Sequence, residues 1–559
     1  MIEKLAGKKE IVYPILAALI VFFKRWALMD KGINYEEAKD IECFLKVANG
    51  EIPYKDFWWP YGPFQLYFFG FFFKWFNVEG FLFPRLVVSA AASAGAFFSY
   101  KIARFYLSSS MALLASLFAF SGLVANVHTY GHIFAVLGLT LTFYFLQLHI
   151  FREKDGYLWI AGGFCGLAII SKPFAIGASA FAAVVLYQIA ARIFSHRYSF
   201  KQFVLFPASA AIVSTIFYLP LPFMVPFPRL LEALFPMFSG YVKPESSFNL
   251  PSIFPMEIFG TGDFSRWIQI LNQYFSYDFR WWLVVLTFLL GGFLLLKKWQ
   301  NNNWRLSRDV SLLLALVIFA PFFELQVLLI KGTSPYINML PSFILLFVFL
   351  NSVKNKAYLA IPGYAFIAVL FAGTFVYSPI KYFWLYKTQG IPLRQKYAEN
   401  ILVTPYQKAM YDLIVGYIKS NTTDSDRIVV ADYNSMFVLL SGRPNLFADH
   451  WGVFQRASFH PYNKVVNAPL EVLISLENKI VERIKEENPK VILIPTRYLT
   501  SEKKNISPFL KYLESEWERV AQFQRPDSIP GMDYDLGMSI FKKAKNEFRG
   551  EARRLERVG

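Results

Sequence analysis

Apolar runs recur through the first two thirds of the chain, at 11–29, 83–106, 110–126, 133–151, 157–171, 173–194, 203–226, 281–297, 309–330, 337–353 and 358–378. A helix that crosses a bilayer needs about 20 apolar residues, so these runs predict about eleven transmembrane helices. A further run, 64–76 (FQLYFFGFFFKWF), is short and crowded with aromatic residues, and carries Lys74 near its end. It predicts an interfacial helix lying along the membrane surface. Beyond 380 the pattern changes. Strand-like runs at 427–431 (RIVVA) and 491–495 (VILIP) alternate with helical periodicity at 405–420 and 470–487. Strand–helix alternation of that kind predicts a small α/β domain. The fold class is therefore a polytopic α-helical membrane protein over 1–380 followed by a soluble α/β domain over 381–559, with a first external loop at about 30–82.

Composition agrees. Of the 559 residues, 55% are hydrophobic and 60 are Phe, more apolar material than a soluble core can bury. The first run follows Lys4, Lys8 and Lys9 and has no small-residue cleavage site, so it reads as a retained helix. The net charge of +17 raises nucleic-acid binding as an alternative. Much of the Lys and Arg, however, lies in short loops between apolar runs, and no basic stripe is interleaved with stacking aromatics, which argues against that class. Those loop cations orient the helices instead. With the N-terminus inside and 64–76 not crossing, the clusters Lys101/Arg104, Arg152/Lys154, Arg197/Lys201, Lys297/Lys298/Arg305/Arg308 and Lys354/Lys356 all fall inside, and 381–559 falls outside. Cys43 and Cys165 make neither a disulfide framework nor a metal cluster. The C-terminal part has no Gly-rich phosphate loop and no GxSxG elbow.

The chemistry concentrates in 30–63, DKGINYEEAKDIECFLKVANGEIPYKDFWWPYGP. Asp30 follows the first apolar run directly, at the mouth of a helix, where a carboxylate can take a proton from a hydroxyl or amine. An ordinary helix-end aspartate in water is the plainer reading. Asp56 is either a second acidic group of a site or a turn residue. Glu36 and Glu37 are placed on the solvated face of a short loop helix. Arg85, Lys172 and Lys331 lie at outer helix ends, either snorkelling to the interface or holding an anion. Lys24 and Arg25 sit inside the first apolar run, and Glu324 is an intramembrane carboxylate, both costly placements that mark functional suspects. His128 and His132 have the i, i+4 spacing of a metal pair, but Gly131 and the turn context favour hydrogen bonding. Trp58 and Trp59 read as part of an interface belt.

The order of these parts resembles a family. Asp30, the helix around Tyr35–Val47, the block Gly50-Glu51-Ile52-Pro53-Tyr54-Lys55-Asp56-Phe57 and the step Gly62-Pro63 resemble the first external loop of the GT-C glycosyltransferases, among them the protein O-mannosyltransferases and the aminoarabinose transferases of lipid A. Ser171-Lys172-Pro173 and the stretch from Lys331 to Leu340-Pro341 resemble two further family segments. One departure is that Asp30 is followed by Lys31, where many members have Asp-Glu. The resemblance implies an inverting transfer of a sugar from a polyprenyl-phosphate donor to a glycan, lipid or protein acceptor at the outer face of the cytoplasmic membrane. It implies Asp30 as base with Asp56 as second candidate, Arg85, Lys172 and Lys331 at the donor phosphate, and Tyr54, His128, His132 and Glu36 at the substrate. It implies no organic cofactor and leaves a divalent metal open. The rival is a transporter or flippase of lipid-linked sugars, which would place paired repeats and functional charges at mid-membrane.

Overall fold

A computed structural model describes residues 2–33, 35–57, 59, 61–121, 130–195, 199–234, 278–323, 339–352, 378–431, 436–447, 470–499, 505–523 and 537–544. The N-terminal part contains α1 (Ile2–Trp26), α2 (Tyr35–Ala48), α3 (Phe64–Phe76), α4 (Leu82–Ala103), α5 (Ser109–Ser121), α6 (Tyr130–Arg152), α7 (Gly156–Ser171), α8 (Ala178–Ser195), α9 (Phe200–Tyr218), α10 (Asp278–Asn301), α11 (Arg308–Phe323), α12 (Leu340–Ser352) and α13 (Ser378–Gln389). Each expected span from 11–29 to 337–353 contains a helix among its described residues, while 358–377 lie outside the described residues. Among the described residues, the helices at Leu82–Ala103, His132–Arg152 and Phe200–Met224 are long and apolar enough to cross a membrane.

The helix α3 has 13 residues. At 1.5 Å per residue it reaches about 20 Å, short of the roughly 30 Å hydrocarbon core. It packs beside the loop helix α2, with Phe44 against Phe69 at 4.7 Å between ring centroids. Phe71, Trp75 and Phe76 stay exposed on its other side. Within the bundle, α1 packs on α4, and α7 lies between α6 and α9. The run 173–194 is not one helix. A π-helical turn at Pro173–Gly177 precedes α8, because Pro173 has no N–H to continue the α7 ladder.

The C-terminal part contains β1 (Ile391–Pro392), β2 (Leu402–Val403), α14 (Pro405–Asn421), β3 (Val429–Val430), α15 (Met436–Ser441), α16 (Leu470–Glu487), β4 (Val491–Pro495), α17 (Pro508–Glu516), β5 (Trp517–Phe523) and β6 (Met538–Lys543). The sheet order is β3-β4-β6-β5, with β3 parallel to β4 and β6 antiparallel to both of its neighbours. Val491–Pro495 is buried throughout, as a central strand covered on both faces must be. Two contacts position the site. The helix α15 packs on α2, and β2 pairs in parallel with Lys31 at the start of the first loop.

Candidate active site

The first loop is pinned at both ends. Where α1 ends, the carbonyls of four consecutive residues are taken. The guanidinium of Arg85, on the first turn of α4, donates to the carbonyls of Met29 (2.6 Å), Lys31 (3.4 Å) and Gly32 (2.7 Å). The Leu402 N–H donates to the Asp30 carbonyl at 2.7 Å, and the Gly32 N–H donates to the Leu402 carbonyl at 2.7 Å. Arg85 also donates twice to Glu37, at 2.6 Å each, a two-pronged pair with both side chains fully buried. Its five N–H groups are thus committed to the loop. This corrects the expectation of Arg85 as a phosphate ligand: its geometry is that of a clamp. It also corrects Glu37, which is buried at the root of α2 and not on a solvated face.

At the other end, Gly62 sits on the C-terminus of α7. Its N–H donates to the Ser171 carbonyl at 3.1 Å, and a Cβ there would lie 2.0 Å from the Ile170 carbonyl oxygen. Only a residue without a side chain lets the loop approach so closely. Between the two pins, Tyr54 is buried and its hydroxyl donates to the Tyr61 carbonyl at 2.6 Å. Burial pushes that hydroxyl well above the usual tyrosine range, so it stays a donor. Trp59, completely buried, donates from its indole nitrogen to the Gly62 carbonyl at 3.1 Å. The expected substrate contact of Tyr54 and the expected interface-belt position of Trp59 are therefore corrected to scaffold contacts within the loop. Asp56 is exposed and accepts from the Ile52 N–H at 2.7 Å, the contact of a turn residue. Burial also pushes the Cys43 thiol up, which leaves it a small apolar side chain of the core.

Two further groups of side chains stand on or beside the loop. The first is Asp30, with a side chain 43% exposed and Oδ1 accepting from the Lys31 ammonium at 2.7 Å. The second is a cluster that the loop folds over the end of α7. The Tyr61 ring meets His132 edge-on at 5.6 Å between centroids. The Lys172 ammonium lies over the same ring at 5.8 Å, and that of Lys39 at 5.3 Å. Lys172 Nζ also meets His132 Nε2. Asp40 stands 3.7 Å from Lys39. Lys172 and His132 were expected here from sequence; Lys39 was not. It is one more charged residue on a helix rich in them, and its burial comes only from α2 packing under the loop. Arg25 is buried and donates to the Ser89 hydroxyl of α4 at 3.4 Å. His128, Lys331 and Glu324 lie outside the described residues, as does the side chain of Glu36.

No protein-family model matches the chain, and no curated protein matches it in sequence. Solved structures do match. The oligosaccharyltransferase of Archaeoglobus fulgidus, determined in complex with zinc and sulfate, superposes with a TM-score of 0.52 at 14% identity, over 92% of this chain and 72% of that one. Its apo form gives 0.50 at 14% identity, over 91% and 73%. The chain has the GT-C fold. A second GT-C structure, ArnT from Cupriavidus metallidurans bound to undecaprenyl phosphate, superposes over 96% of this chain and 98% of that one, with a TM-score of 0.46 and 13% identity. The carboxylates of the loop are engaged within the protein. Asp30 Oδ1 is held by Lys31, Glu37 by Arg85 and Asp56 by a backbone N–H. Among the described residues, no group of three or more His, Cys, Asp or Glu side chains could hold a metal ion. The described carboxylates of the loop do not fit a metal-ligand set.

Proposed function

We propose that the chain is an inverting membrane glycosyltransferase that moves a sugar from a polyprenyl-phosphate donor to an acceptor at the outer face of the membrane. One observation carries this reading: a single pinned loop bears both a half-exposed carboxylate, Asp30, and the wall of a cation cluster, Lys39–Tyr61–Lys172–His132. The GT-C fold shared with an oligosaccharyltransferase supports it. In this reading Asp30 takes the proton of the acceptor hydroxyl or amine as its lone pair attacks the anomeric carbon. The carbon–oxygen bond to the phosphate breaks from the opposite side, which inverts the centre. The polyprenyl phosphate leaves with the bonding electrons. Lys39 and Lys172 stabilise the negative charge it gathers, an effect strengthened by poor solvation.

The test is transfer by purified protein from polyprenyl-phosphate sugars, run beside a liposome assay for movement of the same lipid across the bilayer. Product formation without net movement supports the enzyme; movement without product supports the flippase. Lys172→Met keeps most of the apolar stem and removes the charge and the bond to His132. Donor-lipid binding is expected to weaken about tenfold or more, the worth of one charge-assisted hydrogen bond, while membrane insertion stays normal. Donor binding equal to wild type would make Lys172 an interfacial anchor and move the phosphate site elsewhere.

The orientation belongs to the same proposal. The loop cations put 381–559 outside the cell and keep α3 from crossing. Single cysteines introduced into the α/β domain are expected to react with impermeant reagents on intact cells, and cysteines beside Arg152 to be protected. The reverse pattern would invert the topology and remove the outer-face acceptor.

A further inference from the structure

The segment that follows the membrane helices reaches back to Asp30. Leu402 pairs with the backbone on both sides of Lys31. The Lys31 side chain is only 9% exposed. Its ammonium lies 5.5 Å over the ring of Phe383, on α13, while it donates to Asp30 Oδ1. Gly32 has φ of +62°, and a Cβ on it would lie 2.7 Å from the Tyr386 hydroxyl oxygen, so α13 is seated directly under the turn. Farther along, Lys396 pairs with Glu79 at 3.6 Å, and the Tyr397 carbonyl backs onto Gly80. The clasp therefore grips the start and the end of the region between α1 and α4.

We infer that Lys31 is a positioning residue for Asp30 and that the segment Phe383–Leu402 is a working part of the active site. The inference rests on the glycosyltransferase reading for its catalytic half. An aspartate side chain has two rotatable bonds, and a base must present one oxygen to the acceptor within hydrogen-bond reach. Lys31 fixes one oxygen and so limits the directions the other can face. A lysine that was itself free to swing would not do this. The ring of Phe383 and the strand pairing with Leu402 hold its stem and backbone in place. The adjacent Asp-Lys pair thus has a use of its own: the cation stands where a second carboxylate would otherwise be.

The experiment compares Lys31→Met, Lys31→Arg, Phe383→Leu and the double variant Lys31→Met/Phe383→Leu in steady-state transfer. Misplacing a reacting group by about 1 Å costs on the order of 10²-fold. Lys31→Met is expected to lower kcat by about 10- to 100-fold with acceptor KM and donor binding near wild type, and Lys31→Arg to recover most of the loss. Phe383→Leu is expected to cost less, and the double variant no more than Lys31→Met alone, because both act through one ion pair. Additive losses, or a loss in KM alone, would make these residues structural and overturn the inference. Wild-type kcat in Lys31→Met would overturn it too. Amide exchange gives a readout that does not need transfer. The Gly32 N–H, held by the Leu402 carbonyl, is expected to exchange slowly in the wild-type protein and at least about tenfold faster in Tyr386→Ala, which empties the space under the turn. Equal rates would overturn the clasp. A wild-type protein with slow Gly32 exchange and no transfer would instead overturn the reading of function, and with it the catalytic half of this inference, while leaving the clasp standing.

Discussion

Asp30→Asn is expected to lower sugar transfer by about 10²–10⁴-fold, the usual contribution of a general base. The substitution is nearly isosteric. The amide oxygen can still accept from the Lys31 ammonium, and the Asp30 carbonyl keeps its bond to Leu402, so the turn between α1 and α2 should hold its shape. What is lost is the ability to take a proton at neutral pH. Donor binding should therefore stay near wild type, and the deficit should appear in kcat. Asp56→Asn is the control. Asp56 serves the Ile52 N–H in an exposed turn, and an amide oxygen can do the same, so its transfer rate should be within about twofold of wild type. Turnover by Asp30→Asn close to the wild-type rate would remove Asp30 from the mechanism.

The largest effect on the protein itself is expected at Arg85. Arg85→Met removes the guanidinium that pairs with buried Glu37 and holds the Met29, Lys31 and Gly32 carbonyls. Breaking a buried ion pair from one side typically costs about 3–5 kcal/mol, because the remaining charge is left in poorly solvated surroundings. Thermal unfolding in detergent should fall by several degrees, and transfer should fall with it as the Asp30 turn loosens. Adding Glu37→Gln should restore only part of the stability. The charge is then gone, but the carbonyls still lack their donor. Arg85→Lys should also fall short, since an ammonium has three donors and no planar fork. The outcome separates two roles. A clamp loses stability; a phosphate ligand keeps its melting temperature and loses donor affinity. A variant with unchanged melting and weakened donor binding would return Arg85 to the phosphate site.

Much of this was legible in the order of residue types. Length and hydropathy are one-dimensional properties, and helix formation in an apolar run needs them only locally, so each apolar run from 11–29 to 337–353 contains a helix among its described residues. The alternation of apolar strand and amphipathic helix in 405–495 is equally local, and the helices at 405–421 and 470–487 and the strands at 429–430 and 491–495 follow it. Asp30 could be singled out because it follows an apolar run and precedes a loop of recognisable order.

The remainder depended on contacts between residues far apart in the chain. Arg85 and Glu37 are 48 residues apart, and the sequence reads them as a donor-phosphate ligand and a solvated acid; each takes another role where the fold brings it to the other, since a buried charge is tolerated only with a partner in place. The sequence reads Tyr54 as a substrate contact and Trp59 as an interface aromatic, yet their polar atoms bond to the loop's own carbonyls, because a buried hydroxyl or indole must find an acceptor. Lys39 became part of the site only where Tyr61 is folded over the end of α7 beside Lys172. By itself, then, the sequence determined the helical runs, the strand–helix alternation beyond 400 and the loop that carries Asp30, all of which follow from local pattern. Only the tertiary structure decided which charges are clamp, turn or cluster, because the energy of a charge is set by what surrounds it in space.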